Sequence, residues 1–206
     1  MRRRESPARR ACAAAALGTA LLGGCALAPP AAVEVHREAL VELPRDVPRA
    51  RPSGASLQVL PVQSAPGYEG TGIAYSVRPY EIAYFGVHEW AAPPARMFEP
   101  LLVRTLEGTG AFAAVLGTPG AGHPRYVLRV EQLRLLQDFT GASPVLEMSL
   151  RAQLLRAGDA AVVATREFAC REPMAEREPH AGVVAANRAT ATLLRELAGF
   201  VVGAAR

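Results

Sequence analysis

Lysine is absent from this 206-residue chain, cysteine occurs only three times and tryptophan once. All of the basic side chains except four histidines are therefore arginines, 23 of them against 19 acidic residues. Five of these arginines and one acidic residue lie within residues 1–24, which leaves 18 of each in the remainder. Because nucleic-acid partners call for an excess of positive charge, this balance gives no reason to predict one.

The sequence also has no apolar run long enough to span a bilayer. The uncharged run rich in alanine, leucine and glycine at residues 11–24 would reach about 21 Å as a helix, against a hydrocarbon core of about 30 Å. Arginines precede it at positions 2, 3, 4, 9 and 10, and small residues end it. A cationic start, an apolar middle and a small-residue exit are typical of an export signal, which we predict over residues 1–24.

The apolar stretch ends in Leu22, Gly23, Gly24 and Cys25, a sequence that resembles the bacterial lipobox. The resemblance implies that Leu22, Gly23 and Gly24 are recognised by a lipoprotein signal peptidase. It also implies that Cys25 carries a diacylglycerol and becomes the first residue of the mature protein. The alternative is a general secretory signal, cut after Ala26 or Ala28, in which Cys25 has no role. Two or three acyl chains would hold the protein firmly at a membrane surface.

Proline is frequent between the predicted signal and the first clear strand. Five prolines occur over residues 29–52, a composition that favours extended conformers. We therefore predict a lipidated tether over residues 25–56, with a reach of up to roughly 90 Å at about 3.1 Å per residue. Residues 33–43 are a candidate for an edge strand within it. The remainder, residues 57–206, is predicted to be one domain.

The scarcity of cysteine excludes an internal disulfide from the mature chain. Cys12 leaves with the signal and Cys25 is assigned to lipid, so Cys170 has no partner left within the chain. Cys170 lies in a strand-like run, and we expect it to be a buried packing thiol and not a reactive one.

The hydrophobic pattern of the domain predicts strands followed by a long helix. Apolar and polar residues alternate over 146–154, which predicts a half-buried antiparallel strand with residues 162–170 as its hairpin partner. In residues 126–139 the alternation changes phase, which predicts a bulge near Gln132. Residues 183–200 carry one apolar stripe at helical spacing, and an earlier helix follows Pro93 with either a kink at Pro100 or a start near Phe98. We predict an α+β fold: a mostly antiparallel sheet with two main helices packed on one face.

No catalytic, cofactor-binding or metal-binding residues are predicted. The four histidines fall in separate segments without metal-ligand spacing, and the glycine-rich residues 117–122 lack the lysine of a phosphate loop. His88 and Glu89 are adjacent, but neighbours on an extended chain point to opposite faces. Trp90 is predicted to be either a core anchor or a partner-facing one. We expect the protein not to be an enzyme.

A further pattern of core and turn residues extends over residues 57–62, 73–85, 89–90, 93–97, 101–106, 137–139, 164–168 and 183–188. Together these segments resemble the ABC-type transport auxiliary lipoprotein family of Gram-negative bacteria. The resemblance implies an envelope lipoprotein that works with an ATPase, a permease and a mammalian-cell-entry type lipid-binding protein to move lipids between membranes. Ala26 is not aspartate, which by the lipoprotein sorting rule of enteric bacteria implies the outer membrane, facing the periplasm. The alternatives are an assembly lipoprotein for lipopolysaccharide export or a secretin, and a periplasmic hydrolase.

Overall fold

The computed structural model describes residues 33–117 and 122–205. The predicted signal, its lipobox and Cys25 lie outside these residues. The elements, in chain order, are β1 (His36–Glu38), β2 (Ser56–Val59), β3 (Gly72–Ser76), β4 (Ala83–Trp90), α1 (Pro94–Gly108), β5 (Ala114–Leu116), β6 (Tyr126–Asp138), β7 (Val145–Arg156), β8 (Val162–Pro173) and α2 (Pro179–Ala204).

The long strand β6 is the centre of an eight-stranded sheet. Along one edge it pairs with β7 over nearly its whole length, and β8 adds to β7. Its other edge is shared by two parallel strands: β2 lies beside the start of β6, and β3 lies beside its end. β5 then adds to β2, while β4 and β1 extend the sheet beyond β3.

The sheet is mixed, so the prediction of a mostly antiparallel sheet is only partly right. The pairs β3–β4, β6–β7 and β7–β8 are antiparallel, whereas β1–β4, β2–β5, β2–β6 and β3–β6 are parallel. Alternating apolar residues show which face of a strand is buried, but they do not show which strand lies beside it or in which direction.

Both helices cover the same face of the sheet, where the hydrophobic core forms. Phe98 and Leu102 of α1 and Leu193 and Leu197 of α2 are fully buried there. α1 begins at Pro94, so the later start near Phe98 does not occur, and Pro100 lies on its exposed side. None of the helices in the described residues combines the length and apolar content needed to cross a bilayer.

The predicted bulge in β6 is confirmed. The pairing of β6 with β7 shifts register between Glu131 and Arg134, and Gln132 has a positive φ of 58°. The extra residue lets Val130 and Leu133 both face the core, although they are an odd number of positions apart.

Residues 34–56 differ from the predicted tether, because they pack against the domain. β1 pairs with β4, and Leu40 is only 4% exposed. The side chain of Asn187 in α2 accepts hydrogen bonds from the backbone N–H groups of Val41 and Glu42 at 2.8 and 3.2 Å, and donates one to the Ala39 carbonyl at 3.0 Å. The domain therefore begins about twenty residues earlier than its predicted start at residue 57.

Candidate functional site

Trp90, the one predicted site residue within the described chain, is a core side chain. It ends β4, is 2% exposed and packs in the main hydrophobic cluster. This burial fits the core alternative and leaves no surface of the indole for a partner. Leu22, Gly23, Gly24 and Cys25 lie outside the described residues.

Cys170 is partly buried in β8 and forms no disulfide. Burial, followed by the nearby carboxylate of Glu172 at 3.7 Å from the sulfur, raises the pKa of its thiol to about 11. The thiol is therefore protonated at neutral pH, as expected for a packing cysteine.

Three of the four histidines lie together in the fold, two of them beside the carboxylate of Glu38, although they are far apart in sequence. The rings of His36 and His88 stack with centroids 4.8 Å apart. Glu38 Oε1 lies 3.7 Å from His88 Nδ1 and 3.3 Å from His180 Nδ1. The sequence places these three in separate segments, but strand pairing brings β1 beside β4, and both lie near the start of α2.

This histidine cluster connects β1 with β4 and α2 through side-chain contacts. Glu38 bridges β4 and α2, and the neighbouring Arg37 makes an ion pair with Glu89 at 2.9 Å. His88 and Glu89 thus face different partners, as their adjacency on a strand predicts. Within residues 33–117 and 122–205, no group of three or more histidine, cysteine or carboxylate side chains is arranged to hold a metal ion.

The end of the sheet where β6 finishes, here called the hairpin end, collects several chain segments. The β3–β4 connection, residues 77–82, lies there because β3 runs parallel to β6. The chain also enters β1 from this end, since β1 is parallel to β4 and β4 is antiparallel to β3. The start of α2 follows β8 at the same end.

Exposed apolar side chains are concentrated at and near this end. Val35, just before β1, and Val87 in β4 are both exposed. The connection between β3 and β4 adds a tyrosine that is fully exposed. The exposed large apolar residues on β1, its approach, the hairpin and β4 are Val33, Val35, Val77, Tyr80, Ile82, Tyr84 and Val87.

The β3–β4 connection is held in a defined conformation by polar contacts. Ser76 Oγ donates to the Arg78 carbonyl at 2.7 Å, and the Arg78 guanidinium contacts the Glu81 carboxylate at 2.7 and 3.2 Å. The Tyr84 hydroxyl donates to the Gly67 carbonyl at 2.6 Å. Tyr80 has a φ of 67°, a left-handed conformation that is strained for a residue with a side chain.

The face of the sheet opposite the helices carries alternating charges. Glu147 contacts Arg134 at 2.6 Å and Arg171 at 3.2 Å, and Arg171 lies 3.8 Å from Asp138. Burial alone would raise the pKa of Asp138, but hydrogen bonds from Thr140 and the charge of Arg171 together hold it below its usual value.

A groove of about 520 Å³ lies over this charged face. Glu131, Arg134, Arg151 and Glu167 contribute to its lining, together with Ala65. Charged side chains of both signs suit water or a polar partner better than an acyl chain.

The sequence and fold were compared with known proteins. The model of the ABC-type transport auxiliary lipoprotein component family matches residues 39–198. Protein XCC0632 from Xanthomonas campestris, described as a DUF330 member, superimposes with a TM-score of 0.71 at 25% identity, over 83% of this chain and 95% of that one. A second crystal structure, of an uncharacterised protein, gives a TM-score of 0.64 at 14% identity, over 82% of this chain and 99% of that one. No curated protein matches the sequence.

The second likeness shows the fold alone, since the sequences have diverged too far to carry more. The family match, in contrast, extends from the segment after β1 almost to the end of α2, and so covers most of the chain. It includes the segment around Leu40 that the structure places in the domain. The chain therefore belongs to the family of ABC-type transport auxiliary lipoprotein components.

Proposed function

We propose that the protein is a docking subunit of an ABC-type lipid transport system, held at the periplasmic face of the outer membrane by lipid on Cys25. The observation that carries this proposal is the family match over residues 39–198. The proposed partners are the transporter's ATPase and permease and a mammalian-cell-entry type lipid-binding protein. The proposed role is not enzymatic, and the domain would serve as a folded surface near the bilayer.

The start of the folded domain limits how far it can lie from the membrane. Cys25 precedes Val33, the first described residue, by eight positions. At no more than about 3.6 Å per residue, this connection reaches roughly 29 Å. With residues 34–56 packed on the domain, the protein would lie close to its membrane instead of up to 90 Å away. A partner protein must then bind the folded domain near the bilayer.

Anchoring can be tested by comparing two cysteine substitutions in the native host. We expect Cys25→Ser to abolish incorporation of radiolabelled palmitate and to leave an unprocessed chain, because the thiol is the proposed attachment point. Cys170→Ser is the matched control, since it removes a thiol that lies inside the domain. Incorporation of label into Cys25→Ser at the level of the wild type would refute lipidation at this residue.

The transport role needs a separate test. We expect the lipidated protein, extracted in mild detergent, to co-purify with an ATPase, a permease and a lipid-binding subunit. Recovery with a secretin or a lipopolysaccharide-export barrel instead would contradict the proposal.

A further inference from the structure

We propose that residues 77–82, the hairpin tip, rest on the surface of the bilayer that holds the lipid anchor, with Tyr80 and Ile82 in its interfacial region. This inference rests on the proposed function, because it uses the anchor at Cys25. It adds a second point of contact between the folded domain and the membrane, and it gives the domain a fixed orientation there.

The first support is the direction in which the chain enters the domain. β1 pairs in parallel with β4, so its first residue, His36, lies at the end of β1 that faces the hairpin tip. Val33, the first described residue, comes eight positions after Cys25. A connection of at most roughly 29 Å from the bilayer surface therefore meets the domain on the side where the hairpin tip lies.

The second support is the character of the exposed side chains. Tyr80 has no contact that buries its ring, and Val77 and Ile82 are 51% and 45% exposed. A cluster of exposed apolar side chains is typical of an interaction surface, because leaving these side chains in water does not stabilise the domain itself. Tyrosine has an apolar ring and a polar hydroxyl, which suits the boundary between headgroups and acyl chains.

The third support is the conformation of the hairpin tip. The Ser76–Arg78 hydrogen bond and the Arg78–Glu81 ion pair hold the turn, while Tyr80 keeps a strained positive φ with its side chain directed away from the domain. Nothing in the described contacts of Tyr80 offsets this strain. Strain of this kind persists where a function uses it, and here it presents the ring to a surface outside the molecule.

The experiment uses the full, lipidated chain in vesicles of phosphatidylethanolamine and phosphatidylglycerol that contain a lipid brominated near the headgroup end of its acyl chains. Tyr80→Trp places an indole at the hairpin tip, and the only native tryptophan, Trp90, is buried and supplies a constant background. We expect the added emission to shift to the blue and to fall at least twofold with brominated lipid.

Val162→Trp is the matched control. Val162 is also exposed, but it lies at the opposite end of the sheet, beside the start of β6 through Leu155 and Val127. We expect its emission to be the same with and without brominated lipid. If Tyr80→Trp is not quenched while the protein still floats with the vesicles, or if both variants are quenched equally, the inference is overturned and the anchor stands. If the wild-type protein does not float with vesicles, the proposed function itself fails.

Discussion

The side-chain amide of Gln137 in β6 occupies the space where any residue other than glycine at 182 would place its Cβ. A Cβ built on Gly182 in α2 would lie 2.0 Å from Gln137 Cδ. Gln137 is 1% exposed, and its amide donates to the Pro179 carbonyl at 3.0 Å. The first turn of α2 can therefore approach the sheet this closely only because residue 182 has no side chain.

Gly182→Ala should destabilise the domain, because neither the buried amide nor the helix can move aside freely. We expect a loss of about 1–3 kcal/mol in the free energy of unfolding, the usual range for an overpacked site. Denaturant titration measures it. Gly203→Ala is the matched control in the same helix, where a new Cβ meets nothing within 4 Å, and it should be neutral or slightly stabilising. Equal effects of the two substitutions would contradict the close contact.

Leu40→Ala should destabilise the domain, if the segment before β2 belongs to it. Leu40 is 4% exposed and packs in the core, so truncation should cost about 2–5 kcal/mol. Its neighbour Val41 is 69% exposed, and Val41→Ala should change stability by less than about 0.5 kcal/mol. Thermal unfolding of the two variants gives the comparison. A Leu40→Ala protein as stable as the wild type would restore the tether interpretation for this segment.

Asp138→Asn should lower stability in a way that depends on pH. The folded state holds the pKa of Asp138 below its unfolded value, so the ionised carboxylate stabilises the fold above about pH 4. That contribution is lost as the pH falls through the folded value. Asparagine can still accept the hydrogen bond from Thr140 N but loses the charge near Arg171, 3.8 Å away.

We expect the asparagine variant to be about 0.5–1 kcal/mol less stable at pH 7, the range for a solvent-screened ion pair. The difference should shrink as the pH is lowered below 4. Urea titrations of both proteins at several pH values measure it, and a difference that stays constant down to pH 2 would contradict the assignment.

Cys170 should react slowly with iodoacetamide while the protein is folded. Because burial and Glu172 raise its pKa to about 11, the thiolate fraction at pH 8 is on the order of 100-fold lower than for an exposed cysteine. The native rate should rise about tenfold per pH unit from 8 to 10. Labelling in denaturant serves as the reference. A native rate that levels off near pH 9 would show an ordinary thiol.

The sequence predicts well those features that depend on the local pattern. The alternation over 146–154 lies within β7, its partner is β8, and the stripe from Val183 to Phe200 lies within α2. The phase change near Gln132 predicts a bulge because a period of two leaves no other way to keep both halves of β6 in the core.

The features that the sequence does not predict depend on contacts between distant segments. Leu40 is one buried residue in a proline-rich stretch, so the composition of that stretch hides it. Glu38, His88 and His180 meet only after β1 pairs with β4, and no spacing in the sequence indicates it. The exposure of Tyr80 follows from a turn conformation that propensity alone does not specify.

The shared edge of β6 also sets the order in which the protein can fold. Leu57 of β2 pairs with Tyr126, and Tyr75 of β3 pairs with Gln137. In each pair the partner lies roughly sixty or more residues later in the chain. Contacts so distant along the chain slow folding, because a long loop must close first. β2 and β3 therefore cannot pair with β6 until the chain is present as far as Asp138, and their apolar faces stay uncovered until then.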